Sequence, residues 1–191
     1  CCCSRDTRKQ LHTRRWLLLS EMPTHLNQAL SRYLIALSEV DLPENRVAKL
    51  RALAADLKDK QSAHPGLQLV WVCNHNARRS QMAEAWSQAL FHQAQGLTIA
   101  SAGEVASAVH PNAVQALQDA GFEVADDAGD YRLNFGKGSF LLTSKTLHDL
   151  PFSNARFVIS VCTDTDEQCP FVPGAVARYS LPFKDPKFSD D

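Results

Sequence analysis

The chain has 191 residues, of which 45% are hydrophobic and 21% are charged, as expected for a globular protein with one main domain. Its formal net charge of -1 gives no reason to expect nucleic acid or an anionic membrane as a partner. No apolar run has the length of a membrane span, and no export signal is recognisable. These features predict a cytoplasmic protein whose thiols stay reduced.

The first segment of the chain, residues 1–21, has no periodic pattern. It opens with Cys1, Cys2 and Cys3 and runs up to Met22, the first methionine. We interpret this segment as disordered, or as lying upstream of the natural start. No further Cys or His lies at ligand spacing, so the sequence predicts neither a metal site nor a cofactor.

Residues 22–62 are predicted to form a helical extension of two helices, with Thr24 as N-cap of the first and a break around Pro43. Apolar residues recur at helical spacing in both helices. They are Leu26, Leu30, Tyr33, Leu34 and Leu37 in the first helix, and Val47, Leu50, Leu53, Ala54 and Leu57 in the second. We expect these stripes to pack on each other or on the main domain, with a homodimer interface as the alternative.

The remainder, residues 67–191, is predicted to be the catalytic domain, and it alternates strand and helix patterns after a linker at residues 62–66. The predicted strands are 67–72, 97–100, 122–124, 156–161 and 176–180, and the predicted helices are 80–92 and 112–120, the latter closed by Gly121. Residues 126–142 give no clear pattern. The alternation predicts an α/β fold, a three-layer open parallel sheet with helices on both faces.

The segment after the first predicted strand carries the strongest chemical signal. Its sequence is Cys73-Asn74-His75-Asn76-Ala77-Arg78-Arg79-Ser80, and we call it the oxyanion loop. In an open parallel sheet, ligands bind beyond the carboxyl ends of the strands, and a helix N-terminus offers N–H groups and positive potential to an anion. The same potential stabilises a thiolate, so Cys73 is the candidate nucleophile at a site for phosphate or arsenate.

Other residues of the oxyanion loop have candidate roles as well. Arg79 can bind two oxygens of the anion as a fork, Asn76 can hold the loop, and Ser80 can donate its hydroxyl to the Cys73 sulfur. We expect Arg78 to point to solvent, with added anion affinity as the alternative. The simplest competing interpretation is a buried cysteine at a strand end beside a surface arginine. The apolar strand before the loop and the helix after it favour the functional interpretation.

Residues 70–85, the tripeptide Ser101-Ala102-Gly103 and the segments 110–114 and 120–122 resemble the low-molecular-weight protein tyrosine phosphatase superfamily, which includes the thioredoxin-coupled arsenate reductases. The resemblance covers residues 67–191. It implies the α/β fold, Cys73 as the nucleophile and positions 74–80 as the oxyanion-binding residues. The chain departs from many relatives at Arg78, where they carry a small residue or Cys.

The same resemblance implies that Asp185, followed by Pro186 after the last predicted strand, is the general acid. A leaving oxygen needs a proton as its bond breaks, and a following proline restrains the backbone of the acid. An ordinary turn is the alternative. Because family members usually carry a further helix here, we expect the natural chain to continue beyond Asp191.

Two more cysteines distinguish the branches of this superfamily. Cys162 directly follows the predicted strand 156–161, and Cys169 lies seven residues later. The resemblance implies a relay in which Cys73 attacks arsenate, Cys162 attacks Cys73 and releases arsenite, and Cys169 takes over the disulfide for thioredoxin to reduce. From the residues alone, Cys162 can also be a core thiol and Cys169 a surface one. A metal site with His148 is disfavoured because no further ligand has suitable spacing.

Three functions are therefore in competition. The first is an arsenate reductase that draws electrons from thioredoxin. The alternative is a low-molecular-weight protein tyrosine phosphatase that hydrolyses phosphotyrosine or small phosphoesters through a phosphocysteine. The third is a non-catalytic oxyanion-binding module. Because a phosphatase needs only one cysteine, Cys162 and Cys169 favour the reductase.

Overall fold

The computed structural model describes residues 22–162 and 172–184. Four parallel strands form its main sheet. They are β1 (Leu67–Cys73), β2 (Leu97–Gly103), β6 (Arg156–Ser160) and β7 (Ala175–Ser180), in the spatial order β2-β1-β6-β7. The two central strands, β1 and β6, are nearly continuous apolar runs because both of their faces are buried. The predicted parallel α/β sheet is confirmed.

Helical elements cover both faces of this sheet, as predicted. The described helices are α1 (Gln28–Leu37), α2 (Glu44–Ala63), α3 (Arg79–Leu90) and α4 (Pro111–Ala120), with a 3-10 helix at Leu147–Asp149. On one face, Leu57 of α2 packs with Leu69 of β1, and α3 is tied to β1 by the bond from Trp71 Nε1 to Ser87 Oγ (2.8 Å). On the other face, Val70 packs with Leu150, which follows the 3-10 helix. No helix within the described ranges is both long and apolar enough to cross a membrane.

A second, antiparallel sheet begins in the predicted strand 122–124 and fills the region 126–142, which the sequence left unassigned. Its strands are β3 (Glu123–Asp127), β4 (Asp130–Asn134) and β5 (Ser139–Leu142), in that order. The parallel pairing expected for the predicted strand 122–124 is wrong, because that segment forms β3 and pairs antiparallel with β4. Only Leu133 and Leu142 are fully buried in β4 and β5, so the apolar alternation that marks a strand is missing.

The N-terminal helices belong to the same cores as the rest of the chain. Leu30 of α1 is fully buried in a cluster with Ala85 and Leu117. Asn27 is the N-cap of α1, where its Oδ1 accepts from Leu30 N (2.9 Å) and its Nδ2 donates to Gly121 O (2.9 Å). The expected N-cap at Thr24 is therefore wrong. Of the two packing arrangements expected for the apolar stripes, the structure has packing on the main domain.

Gly121 explains how closely α1 approaches the domain. It ends α4 with a φ of 111°, as the helix-ending glycine in the sequence predicts. A Cβ at this position would lie 2.7 Å from Ala29 Cβ and 2.8 Å from Leu30 N, too close for any side chain. The close contact with α1 thus requires a glycine for steric as well as conformational reasons.

Candidate functional site

Cys73 is the last residue of β1, and α3 begins at Arg79, so the oxyanion loop connects a central strand to the N-terminus of a helix. The Cys73 side chain is buried, and its Sγ lies 2.9 Å from Ser80 Oγ. Ser80 Oγ accepts a hydrogen bond from Asn76 Nδ2 (2.8 Å), which leaves its own proton to point at the sulfur. The Ser80 hydroxyl is therefore placed to donate a hydrogen bond to the Cys73 sulfur.

A small cavity of about 40 Å³ opens above the sulfur. It is lined by Cys73, His75, Ala77, Arg78 and Arg79. Two guanidinium groups and a helix N-terminus converge here beside a thiol. Guanidinium groups and helix N-terminal N–H groups bind anions, so the cavity suits a compact tetrahedral anion.

Asn76 shapes the oxyanion loop from inside. It is fully buried and adopts a left-handed conformation with a φ of 46°. Its Nδ2 also donates to Ser101 Oγ (2.8 Å), and its Oδ1 accepts from Gln81 Nε2 (2.9 Å) and from Lys145 N (2.8 Å). Asn tolerates this backbone region better than most residues, so both its conformation and its hydrogen bonds suit the position.

The last residues of β2, Ser101-Ala102-Gly103, fit against the oxyanion loop. A Cβ on Gly103 would lie 2.7 Å from Asn74 O and 2.8 Å from Asn76 N, so only glycine can approach this closely. Val105 N donates to Asn74 O (3.0 Å) and Ser107 Oγ donates to His75 O (3.0 Å). The backbone of the loop is thereby held from the side of β2.

A buried carboxylate ends the hydrogen-bond chain that begins at Cys73. Glu84 Oε2 accepts from Ser101 Oγ (2.5 Å) and Ser101 N (2.9 Å), and Lys145 Nζ lies 3.3 Å from it. Burial raises the pKa of Glu84, and Lys145 with the Ser101 hydrogen bonds opposes that rise. The sequence interpretation missed Ser101, Glu84 and Lys145 as site residues. The spacing of Ser80 and Glu84, one helical turn apart, was the only local signal.

The two arginines of the oxyanion loop have different surroundings. Arg79 Nη1 donates to Phe183 O (3.0 Å) and to Val161 O (3.4 Å). Arg78 is half-buried, lines the cavity and places its Nη2 2.7 Å from His110 Nε2. The expectation that Arg78 points to solvent is wrong, because His110 at the start of α4 holds it beside the cavity.

Cys162 lies next to Cys73 in the fold. Val161 N donates to Val72 O (2.9 Å), so the residues that precede the two cysteines are neighbours on adjacent parallel strands. Cys162 packs against the apolar cluster that contains Cys73, and no disulfide joins these two described cysteines. The other two predicted catalytic residues, Cys169 and Asp185, lie outside the described residues.

Comparison with known proteins places this site in a family. The family model described as low molecular weight phosphotyrosine protein phosphatase matches residues 68–131. An arsenate reductase of Bacillus licheniformis is 32% identical over 118 residues, which cover 62% of this chain and 73% of that protein. An arsenate reductase of Brevibacillus brevis is 31% identical and is covered to 75% of its length, against 62% of this chain.

Two solved structures are similar as well. An arsenate reductase in the phosphate binding state has a TM-score of 0.46 and 21% identity, over 64% of this chain and 81% of that one. The thioredoxin-dependent arsenate reductase of Corynebacterium glutamicum has a TM-score of 0.38 and 20% identity, over 94% of this chain and 75% of that one.

A parallel sheet with a cysteine loop at the end of a central strand defines an oxyanion-binding thiol enzyme. The sequence relatives make the assignment specific: the chain belongs to the low-molecular-weight phosphotyrosine phosphatase-like family that includes these arsenate reductases.

Proposed function

We propose that the chain is an arsenate reductase in which Cys73 is the nucleophile and thioredoxin is the final reductant. Three relatives of 30–32% identity are named arsenate reductases, which supports this substrate. The observation that carries the proposal is the placement of Cys162 beside Cys73. A phosphatase of this kind needs one thiol, whereas reduction needs a second thiol within reach of the first.

The proposed first step takes place in the cavity above Cys73. The cavity binds arsenate through the loop N–H groups and Arg79, and Arg78 adds a second positive charge. The Cys73 thiolate attacks arsenic and forms a sulfur–arsenic bond, while an oxygen leaves as water after protonation by Asp185. Ser80 stabilises the thiolate before the attack.

The second step is the reduction. The Cys162 thiolate attacks Cys73 Sγ, the sulfur–arsenic bond breaks with its electron pair going to arsenic, and arsenic passes from the +5 to the +3 state as arsenite. The two thiols become one disulfide, so the two electrons balance. Cys162 packs against the apolar cluster that contains Cys73, which supports an approach of the two thiols in this step.

The third step regenerates Cys73. Cys169 attacks Cys162, which releases the Cys73 thiolate and leaves a Cys162–Cys169 disulfide for thioredoxin. We also propose a cytoplasmic location, where thioredoxin keeps such thiols reduced, and residues 67–191 as the catalytic domain. A homodimer through the exposed side of α1 and α2 remains part of the proposal.

The test measures arsenite production with thioredoxin, thioredoxin reductase and NADPH. We expect it to disappear in Cys73→Ser, Cys162→Ser and Cys169→Ser and to persist in the matched control Cys3→Ser. Hydrolysis of an aryl phosphate that survives Cys162→Ser but not Cys73→Ser, without arsenite production by the unmodified chain, would favour the phosphatase. Phosphate binding without turnover of either substrate would favour the binding module.

A further inference from the structure

One side chain of α2, Arg46, reaches the segment that contacts Arg79. Its Nη1 donates to Pro182 O (3.3 Å), and its guanidinium carbon lies 4.5 Å from the centroid of the Phe183 ring. A planar guanidinium can donate to a carbonyl and stack on a ring at the same time, which an ammonium group does less well. Arg46 therefore contacts two successive residues, Pro182 through its carbonyl oxygen and Phe183 through its ring.

Phe183 links Arg46 to the oxyanion loop. Its carbonyl oxygen accepts from Arg79 Nη1 (3.0 Å), and its N–H donates to Val161 O (3.4 Å). Val161 O accepts from the same Nη1 of Arg79 (3.4 Å). The orientation of the Arg79 guanidinium therefore depends on where the Phe183 backbone lies.

The helix that carries Arg46 is firmly attached to the sheet. Leu53 and Leu57 are buried in the apolar cluster on one face, and Tyr179 Oη of β7 donates to Asp56 Oδ2 (3.1 Å). Phe183, in contrast, is 47% exposed, so the core does little to hold it. The anchored helix thus adds a stacking contact to a segment that the core holds weakly.

We propose that Arg46 is a positioning residue of the oxyanion site: it holds Phe183 so that the Phe183 carbonyl orients Arg79 toward the anion. This inference rests on the proposed oxyanion site and adds a residue from the N-terminal helices to it. Orienting Arg79 before the anion arrives spares the binding step the ordering of a long side chain.

The experiment measures the affinity of the full chain for inorganic phosphate by calorimetry. We expect Arg46→Ala to weaken phosphate binding about two- to fivefold, the size of a partly exposed stacking contact. Arg46→Lys keeps the charge but loses the flat stacking surface, so we expect an intermediate affinity. Arg51→Ala removes the same charge from an exposed position of the same helix and should leave the affinity unchanged.

A double-mutant cycle separates positioning from a general loss of charge or stability. If Arg46 acts through Arg79, Arg46→Ala should have no further effect on phosphate affinity in an Arg79→Ala background. Equal losses in both backgrounds, or equal losses in Arg46→Ala and Arg51→Ala, would overturn the inference. So would an unchanged phosphate affinity in Arg46→Ala.

The test of Arg46 can fail or succeed independently of the test for arsenate reduction, because phosphate binding needs no turnover. If the chain fails to reduce arsenate but Arg46→Ala weakens phosphate binding as expected, the inference stands and the reductase proposal fails. If the unmodified chain does not bind phosphate, both are overturned.

Discussion

Asn76 and Arg79 lie in the same oxyanion loop, yet the structure holds them by different means. Asn76 is fully buried, and its side chain hydrogen-bonds to Ser80, Ser101, Gln81 and the backbone of Lys145. Arg79 is held by carbonyl groups of Val161 and the exposed Phe183. Buried polar groups are costly to leave unpaired, whereas contacts near solvent are worth little each. The shape of the loop is therefore built into the core, and the orientation of its arginine is adjustable.

The largest effect should come from Asn76→Ala. Four partners would lose a hydrogen bond, three of these bonds being buried, and alanine would have to adopt the left-handed conformation. We expect the free energy of unfolding to fall by about 2–4 kcal/mol and phosphate binding to be lost. Urea unfolding and calorimetry measure the two effects. Asn74→Ala, in the same loop but only half-buried, is the matched control and should change stability by less than about 1 kcal/mol.

Removal of the second arginine should have the next largest effect. Arg78→Ala takes away a guanidinium that lines the cavity, so we expect phosphate to bind about tenfold more weakly. Arg132→Ala removes the same charge from β4, where Arg132 pairs with Asp127, and controls for long-range electrostatics. Equal losses in the two variants would mean that Arg78 contributes only its net charge.

The buried carboxylate predicts a dependence of stability on pH. Because burial raises the pKa of folded Glu84 above its usual 4.5, the unfolded chain loses this proton first as the pH rises. The folded state then binds more protons than the unfolded state, and this group makes stability fall as the pH rises from 4.5 toward the folded pKa. The slope is at most about 1.4 kcal/mol per pH unit.

Glu84→Gln should abolish that part of the pH dependence, as measured by urea unfolding across the pH range. The exposed carboxylate of Glu104 offers a control, since Glu104→Gln should leave the profile of the unmodified chain in place. A Glu84→Gln profile that matches the unmodified chain would mean that Lys145 fully offsets the burial of the carboxylate.

The smallest expected effect is on the reactivity of the Cys73 thiol. Ser80→Ala removes the hydroxyl 2.9 Å from Cys73 Sγ and should slow alkylation of Cys73 by iodoacetamide about threefold, since one neutral hydrogen bond to the thiolate is lost. Ser87 lies on the same helix, but its hydroxyl accepts a hydrogen bond from Trp71. Ser87→Ala should therefore leave the alkylation rate unchanged. Faster alkylation in Ser80→Ala would show that the hydroxyl shields the sulfur more than it stabilises the thiolate.

The parts of the fold that were predictable from the sequence are those whose signal is local. β1 and β6 are short apolar runs buried on both faces, and Gly121 ends α4 where a left-handed residue is needed. A strand was predicted where β3 begins, but its antiparallel pairing and the strands β4 and β5 were not predictable, because few of their residues are buried. The N-cap at Asn27 depends in part on Gly121, which lies 94 residues away.

The same distinction holds for the site. Cys73, Asn76 and Ser80 lie within one loop, so their grouping was visible from the sequence. Glu84 joins Lys145 across 61 residues, and Arg46 joins Pro182 across 136, so their contacts exist only in the folded chain. Arg78 was misjudged because His110, 32 residues away, decides where its side chain lies.

The proposed reduction of arsenate requires that Cys73 form a disulfide with Cys162 in each catalytic cycle. The most direct test incubates the reduced Cys169→Ser variant with arsenate, without thioredoxin, and analyses the peptides by mass spectrometry. We expect a Cys73–Cys162 disulfide together with an equal amount of arsenite. A Cys73 that remains reduced while the protein binds arsenate, with no arsenite formed, would contradict it.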